Sequence, residues 1–156
     1  MNTNQLLIQK FYTCFQNKDY KGMQDCYADN AVFNDSVFKN LNSSQVKAMW
    51  EMLIKSGKDL RVEFKDINAT ETNGTAHWDA YYTFSRTGNK VINRINATFT
   101  FENGKIVTHT DHFDFYSWAK QSLGLTGLLL GWTKFMKNKV QQTAMQNLNV
   151  FMKITK

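Results

Sequence analysis

Apolar residues at the amino terminus recur every three to four positions. Leu6, Leu7, Phe11, Cys14 and Phe15 fall on one face of a helix over residues 3–17. Asn17-Lys18-Asp19 reads as a turn, and Asp19 can cap a second helix over residues 20–28. The segment Tyr27–Asp35 leaves that helix and enters a short strand. Asn42-Ser43-Ser44 then caps a third helix, residues 45–56, which ends near Gly57.

Beyond Gly57 the period changes from 3.6 to 2. Over residues 60–72, Val62 and Phe64 alternate with Arg61, Glu63 and Lys65. Asn73-Gly74, Gly88-Asn89 and Asn103-Gly104 are turn dipeptides that mark off three further strands, over 75–87, 91–101 and 105–116. Three helices followed by a meander of four strands predict an α+β fold. Its expected shape is a cone, a curved antiparallel sheet wrapped around the N-terminal helices, with a C-terminal helical extension. The second long strand carries Tyr81 on one face and Trp78, Ala80, Tyr82 and Phe84 on the other, so both faces call for cover. A homodimer is the expected assembly; the tail folded over the outer face is the alternative.

Composition adds two points. At 156 residues, with 42% hydrophobic and 14% aromatic residues, the chain can bury a core, and its aromatics suit the wall of an apolar pocket. Charge then divides it. Residues 1–116 hold 13 basic and 13 acidic residues, whereas residues 117–156 hold six lysines and no acid and so carry the whole net +6. The expected organisation is a domain over residues 1–116 with a basic amphipathic extension over residues 117–156 packed on it. That extension carries Trp118, Leu123, Leu125, Leu128, Leu129, Leu130, Trp132, Phe135 and Met136, then a helical stripe of Val140, Ala144, Leu148, Phe151 and Met152. Two readings stay open: a surface for an anionic membrane or acidic partner, or a cap on the cone with solvated lysines. Nucleic acid is not an expected partner, since arginine clusters and glycine-rich loops are lacking. The start, Met1–Gln5, lacks signal-peptide character, and residues 123–132 are too short to span a bilayer. A cytoplasmic location is therefore expected, with Cys14 and Cys26 as reduced core thiols.

Tyr27-Ala28-Asp29-Asn30-Ala31-Val32-Phe33-Asn34-Asp35 resembles the helix-to-strand signature of the nuclear transport factor 2-like superfamily, whose fold is cystatin-like. Phe101-Glu102-Asn103-Gly104-Lys105-Ile106-Val107-Thr108-His109-Thr110-Asp111-His112-Phe113-Asp114 is similar to its last hairpin. With the element order, the likeness spans about residues 3–116. Within the superfamily the chain is similar to SnoaL-like polyketide cyclases, ketosteroid isomerases and limonene epoxide hydrolases. The resemblance implies a deep pocket for a small apolar ligand, but it does not choose among reactions.

Against the isomerases, Asp35 falls on the base position, but the tyrosine position falls on Phe11. Tyr12 is turned about 100° away around the helix, and the acid position falls on Ala97, which cannot donate. Against the epoxide hydrolases, their Arg-x-Asp falls on His77-Trp78-Asp79 and their second aspartate on Asp111. The residues that hold water there fall on Phe33 and Asp35. Histidine titrates near neutrality and arginine does not, so hydrolase chemistry would be altered.

Residues 77, 79 and 81 share one strand face, as do 109, 111, 113 and 115. With Asp79 and Asp111 inward, Asp111 and Asp79 form the expected acid–base pair, His77 or His109 tunes it, and Asp35 assists at the mouth. Phe11, Phe33, Tyr81, Ala97, Phe99, Phe113 and Phe115 are the expected ligand-binding wall. No cofactor is expected, because there is no phosphate loop or dinucleotide fingerprint. Nor is a metal site expected, because His109 and His112 would face opposite ways on a strand. Structural roles stay open beside these. Asp35 can serve the backbone at a strand end, and His77–Asp79 and His109–Asp111 can be buried couples. Asp114 and His112 would face solvent or an interface. The expected function is binding of an apolar or polycyclic molecule with acid–base chemistry of isomerase, cyclase or epoxide-hydrolase type. A non-catalytic binding or dimerisation module is the alternative.

Overall fold

The computed structural model describes residues 1–155. Helix α1, Thr3–Gln16, starts at Asn2, whose side chain accepts from the Gln5 N–H while the Gln5 side chain accepts from the Asn2 N–H. It buries Ile8, Phe11, Tyr12 and Phe15. Helix α2, Tyr20–Gln24, stops four residues short of the expected end. Tyr27 already belongs to strand β1, Tyr27–Asn34, which satisfies its backbone against the last strand instead. Helix α3, Ser43–Ser56, repeats the capping box with Asn42 and Gln45.

Strands β2 (Arg61–Ala69), β3 (Asn73–Thr83), β4 (Lys90–Glu102) and β5 (Lys105–His112) form the antiparallel meander. β1 adds in parallel to β5, giving a curved five-stranded sheet in the order β1-β5-β4-β3-β2. Helices α4 (Phe115–Leu123), α5 (Leu125–Leu130) and α6 (Lys134–Ile154) complete the described chain.

Expectations for the sheet change as well, beginning with β3, which ends at Thr83 rather than at residue 87. Asn73-Gly74 is not the turn: the reversal lies between Ala69, which pairs with Gly74, and Asn73, whose carbonyl accepts from the Thr70 N–H at 2.7 Å. Gly74 instead sits in β3, where a Cβ would come within 2.9 Å of both Phe101 and Ile8. Close approach of the sheet to α1 requires that glycine. The last strand also ends early. Asp114 accepts from the Ser117 N–H and starts α4, so Phe113 and Phe115 leave the alternation of β5.

Register decides which faces point inward. Ala76 pairs with Ala97, and Ala97 with Asp111, so the three lie in one row across β3, β4 and β5. Trp78 lies opposite Ile95 on the same face, and these residues pack against α1 and α3 in the core. His77, Asp79 and Tyr81 therefore lie on the outer face, beside Glu63, Arg94 and Asn96. The Arg61 guanidinium covers the Tyr81 ring at 4.0 Å, and the Tyr81 hydroxyl donates to Glu63. Helix α6 packs along α3 and inserts Leu148 into the core. Cys26 is buried and Cys14 half-buried, and burial pushes the Cys26 thiol up to about 11, which suits an inert thiol.

Candidate functional site

A cavity of about 540 Å³ opens between α3, the inner face of the sheet, α4 and α6. Its wall is mainly apolar: Trp50 and Met49 from α3, Trp78 and Ala80 from β3, Trp118 from α4, and Val140 from α6 contribute to it. Two carboxylates, Asp35 and Asp111, line the same space. An apolar chamber with a few convergent ionisable groups is the usual form of a small-molecule site.

Asp111 sits near the end of β5 and is held by a chain of hydrogen bonds. Its Oδ1 accepts from His109 Nε2 at 2.9 Å and from the Trp78 indole N–H at 3.3 Å. On the far side of the ring, His109 Nδ1 meets the Tyr27 hydroxyl at 2.7 Å, and that hydroxyl accepts from the Trp50 indole N–H at 2.9 Å. Donor inventory fixes the directions. Trp50 can only donate, so the Tyr27 O–H is free to donate to Nδ1, which leaves the proton of a neutral imidazole on Nε2, facing Asp111. Every member of the chain is then satisfied. A doubly protonated ring would turn two donors toward Tyr27 and leave the phenol proton without an acceptor. The imidazole is clamped between aromatic rings, with Phe99 at 4.3 Å and Phe33 at 5.0 Å between centroids. Among the described residues nothing donates to Asp111 Oδ2.

Asp35 follows β1, where the chain reverses toward Phe38. Its Oδ1 accepts from the backbone N–H groups of Val37 and Phe38 at 2.7 and 2.6 Å, and again Oδ2 has no donor among the described residues. Burial pushes the carboxyl up to about 6; the two N–H donors oppose that shift, and the charge of Asp111 adds to it. A carboxyl in that range both takes and gives protons near neutral pH.

The structure thus brings Asp35, Asp111 and Phe113 to one cavity, with His109 behind Asp111. It does not bring Asp79 and His77 there. Asp79 is on the outer face, where it accepts from His77 Nε2 at 2.8 Å and Arg94 at 3.3 Å. Tyr81 is outside with it. Phe11, Phe33, Ala97 and Phe99 are inward but fill the core beneath the cavity, and Phe115 packs with Trp118 and Val91. Tyr27, Trp50 and Trp78 were not among the expected site residues. For Trp78 a signal was present, since Ala76, Trp78 and Ala80 form the more apolar parity of β3. Tyr27 meets His109 only through the parallel pairing of β1 with β5, which no local pattern announces.

Tyr12 is fully buried, and its hydroxyl has no partner among the described residues. Burial, then the nearby charge of Asp111, holds this phenol neutral, well above its ordinary range. Among the described residues no group of three His, Cys, Asp or Glu converges on a metal position.

Comparison with curated proteins gives no match. Among solved structures, an LEH-like epoxide hydrolase from M. tuberculosis is 18% identical, with 80% of this chain and 92% of that one covered at a TM-score of 0.62. A candidate polyketide cyclase from Xanthomonas campestris pv. campestris is 18% identical over 74% of this chain and 93% of its own, at 0.61. TerC, co-crystallised with polyporic acid, is 14% identical over 77% and 98%, at 0.65. Such identities carry the fold alone. The SnoaL-like domain profile matches residues 8–109, a span that runs from the inner face of α1 to the histidine that holds Asp111. By that match, the chain belongs to the SnoaL-like domain family of the nuclear transport factor 2-like superfamily.

Proposed function

We propose that the cavity binds a small apolar, ring-containing molecule and performs acid–base chemistry on it with Asp35 and Asp111. The carrying observation is that Asp35 and Asp111 line one apolar chamber, each with an oxygen to which no described residue donates. Asp111, oriented by His109 and Trp78, acts as the base that accepts a proton from the substrate or from a water. Asp35, poised near 6, returns a proton or takes the second one. The tryptophans exclude water and hold the rings of the ligand. This reading fits isomerase, cyclase and epoxide-hydrolase chemistry alike, because each moves protons beside an apolar skeleton. His77 and Asp79 have no part in it.

The test separates binding from chemistry. Binding of the fluorescent probe 1-anilinonaphthalene-8-sulfonate is measured for the parent chain and for Ala144→Trp, which fills the cavity from α6. Turnover is then followed on a panel of cyclic epoxides and β,γ-unsaturated cyclic ketones. Loss of probe binding in Ala144→Trp is expected, as is loss of turnover in Asp111→Asn and Asp35→Asn with probe binding kept. The rate should also show a limb near pH 6. Turnover indifferent to both aspartates removes the catalytic assignment.

A non-catalytic binding module is the second reading. It is favoured by the two backbone bonds of Asp35, which also serve simply to close the turn after β1. Probe binding with no turnover on any panel member would select it. For assembly, the expected homodimer would use the outer face of β3 and β4, and light scattering tests that element alone.

A further inference from the structure

Helix α5 and the turn after it expose an apolar surface that the cavity does not use. Leu125, Trp132 and Phe135 are 70%, 72% and 70% exposed, and Leu128, Leu129 and Leu130 stand out between them. Monomeric soluble proteins seldom leave so many large apolar side chains together in water. The segment is also held in place. Gly127 lies so close to α4 that a Cβ there would meet the Ala119 carbonyl at 1.9 Å, so the short helix is seated backbone to backbone.

The last three carbonyls of α5 have side-chain donors within the chain. Leu128 O accepts from the Tyr116 hydroxyl at 2.8 Å, Leu129 O from the Trp132 indole at 3.0 Å, and Leu130 O from the Thr133 hydroxyl at 2.6 Å. The last carbonyls of α5 would otherwise need water. With side-chain donors on each, these three carbonyls keep a hydrogen bond when the surface leaves water.

Charge selects the partner. Lys120, Lys134, Lys137 and Lys139 rim the patch in sequence, and residues 117–156 contain no acid. Asp114, the first acid before this segment, is occupied as the cap of α4. A second copy docking through this surface would bring lysines against lysines. We propose that the α5 surface, Leu125 to Phe135, docks on an anionic lipid bilayer, inserting Trp132, Phe135 and the leucines while the lysines meet the headgroups. α4, on which α5 is seated, also supplies Trp118 and Leu123 to the cavity wall, so docking would set the chamber beside a source of apolar molecules. The inference does not depend on any chemistry at Asp35 or Asp111.

The experiment is flotation of the full chain with vesicles of phosphatidylcholine alone or mixed with phosphatidylglycerol, some carrying brominated acyl chains. Trp50, Trp78 and Trp118 are buried, so bromine quenching reports on Trp132. Binding is expected only with phosphatidylglycerol, with Trp132 quenched, and it should weaken as salt rises from about 0.1 M to about 1 M. Lys134→Gln/Lys137→Gln/Lys139→Gln should lower partitioning on the order of a hundredfold. Trp132→Ala/Phe135→Ala should lower it roughly tenfold or more with the thermal midpoint unchanged. No binding to the anionic vesicles, or binding that neither variant weakens, overturns the proposal. So does a dimer by light scattering that Trp132→Ala/Phe135→Ala dissolves, which would assign the surface to a second copy.

Discussion

The chain contains the same short pattern twice. His77-Trp78-Asp79 on β3 and His109-Thr110-Asp111 on β5 each place an imidazole and a carboxylate two residues apart on one strand face, with Nε2 to Oδ1 distances of 2.8 and 2.9 Å. Locally the pairs are nearly identical; their surroundings are not. The outer side chains are 21% and 13% exposed and share Asp79 with Arg94, which is itself in water. The inner ones are 0% and 3% exposed, and every other hydrogen bond of the pair goes to a buried phenol or indole. Where water reaches a half-buried pair it contributes less, because solvation competes for both partners. In the core it cannot be separated without leaving a buried polar group unpaired.

That contrast gives measurable differences. Asp111→Ala would strand the N–H groups of His109 and Trp78 and should cost about 3–5 kcal/mol in chemical denaturation. A loss below about 1 kcal/mol would mean that the inner pair is as dispensable as the outer. Tyr27→Phe keeps the ring but leaves the Trp50 N–H and His109 Nδ1 facing a hydrogen that cannot bond, for an expected loss of about 2–4 kcal/mol. Equal stability would show the relay to be absent in solution.

Asp35 tests burial through pH. Its carboxyl sits at about 6 in the folded chain, against about 3.9 when unfolded. Between those values the native state holds more protons, so this group's contribution to stability falls as pH rises through the window. Asp35→Asn keeps an acceptor for Val37 and Phe38 and cannot ionise. It should be more stable than the parent by about 1–3 kcal/mol above pH 6, with the gap closing toward about pH 4. Thermal midpoints across that range decide it, and a gap that does not change with pH would assign Asp35 an ordinary, solvated carboxyl. Asp79→Ala should have the smallest effect, within about 1 kcal/mol and fading with salt. A larger loss would show that the outer pair carries structure that its exposure does not suggest.

Much of this was legible from the chain. The cap at Asn42, the helical stripe of α1 and the alternation of β2 through β5 all rest on contacts a few residues apart. Asn103-Gly104 took its turn as expected, both residues at positive φ. Asn73-Gly74 did not, because Phe101 and Ile8 claimed that glycine for packing. A non-local demand overrode a local preference. The same holds for the site. Alternation correctly grouped His77 with Asp79 and His109 with Asp111, but it left open which group of one strand faces which group of the next. Only the pairing of Ala76 with Ala97 and of Ala97 with Asp111 resolves that. It puts Asp111 inside and Asp79 outside.

By itself, then, the sequence determined the α+β class, the order and approximate bounds of the elements and the uneven division of charge along the chain, and it named Asp111, Asp79 and Asp35 as candidates without separating them. Tertiary structure alone decided that Tyr27 and Trp50 complete the chain behind Asp111, that α6 closes the cavity, and that one His-Asp pair is fully buried and the other half-buried on the outer face. The reason is physical: periodicity records the faces of each element, whereas register, burial and the partners of a buried polar atom exist only once elements distant in the chain have packed together.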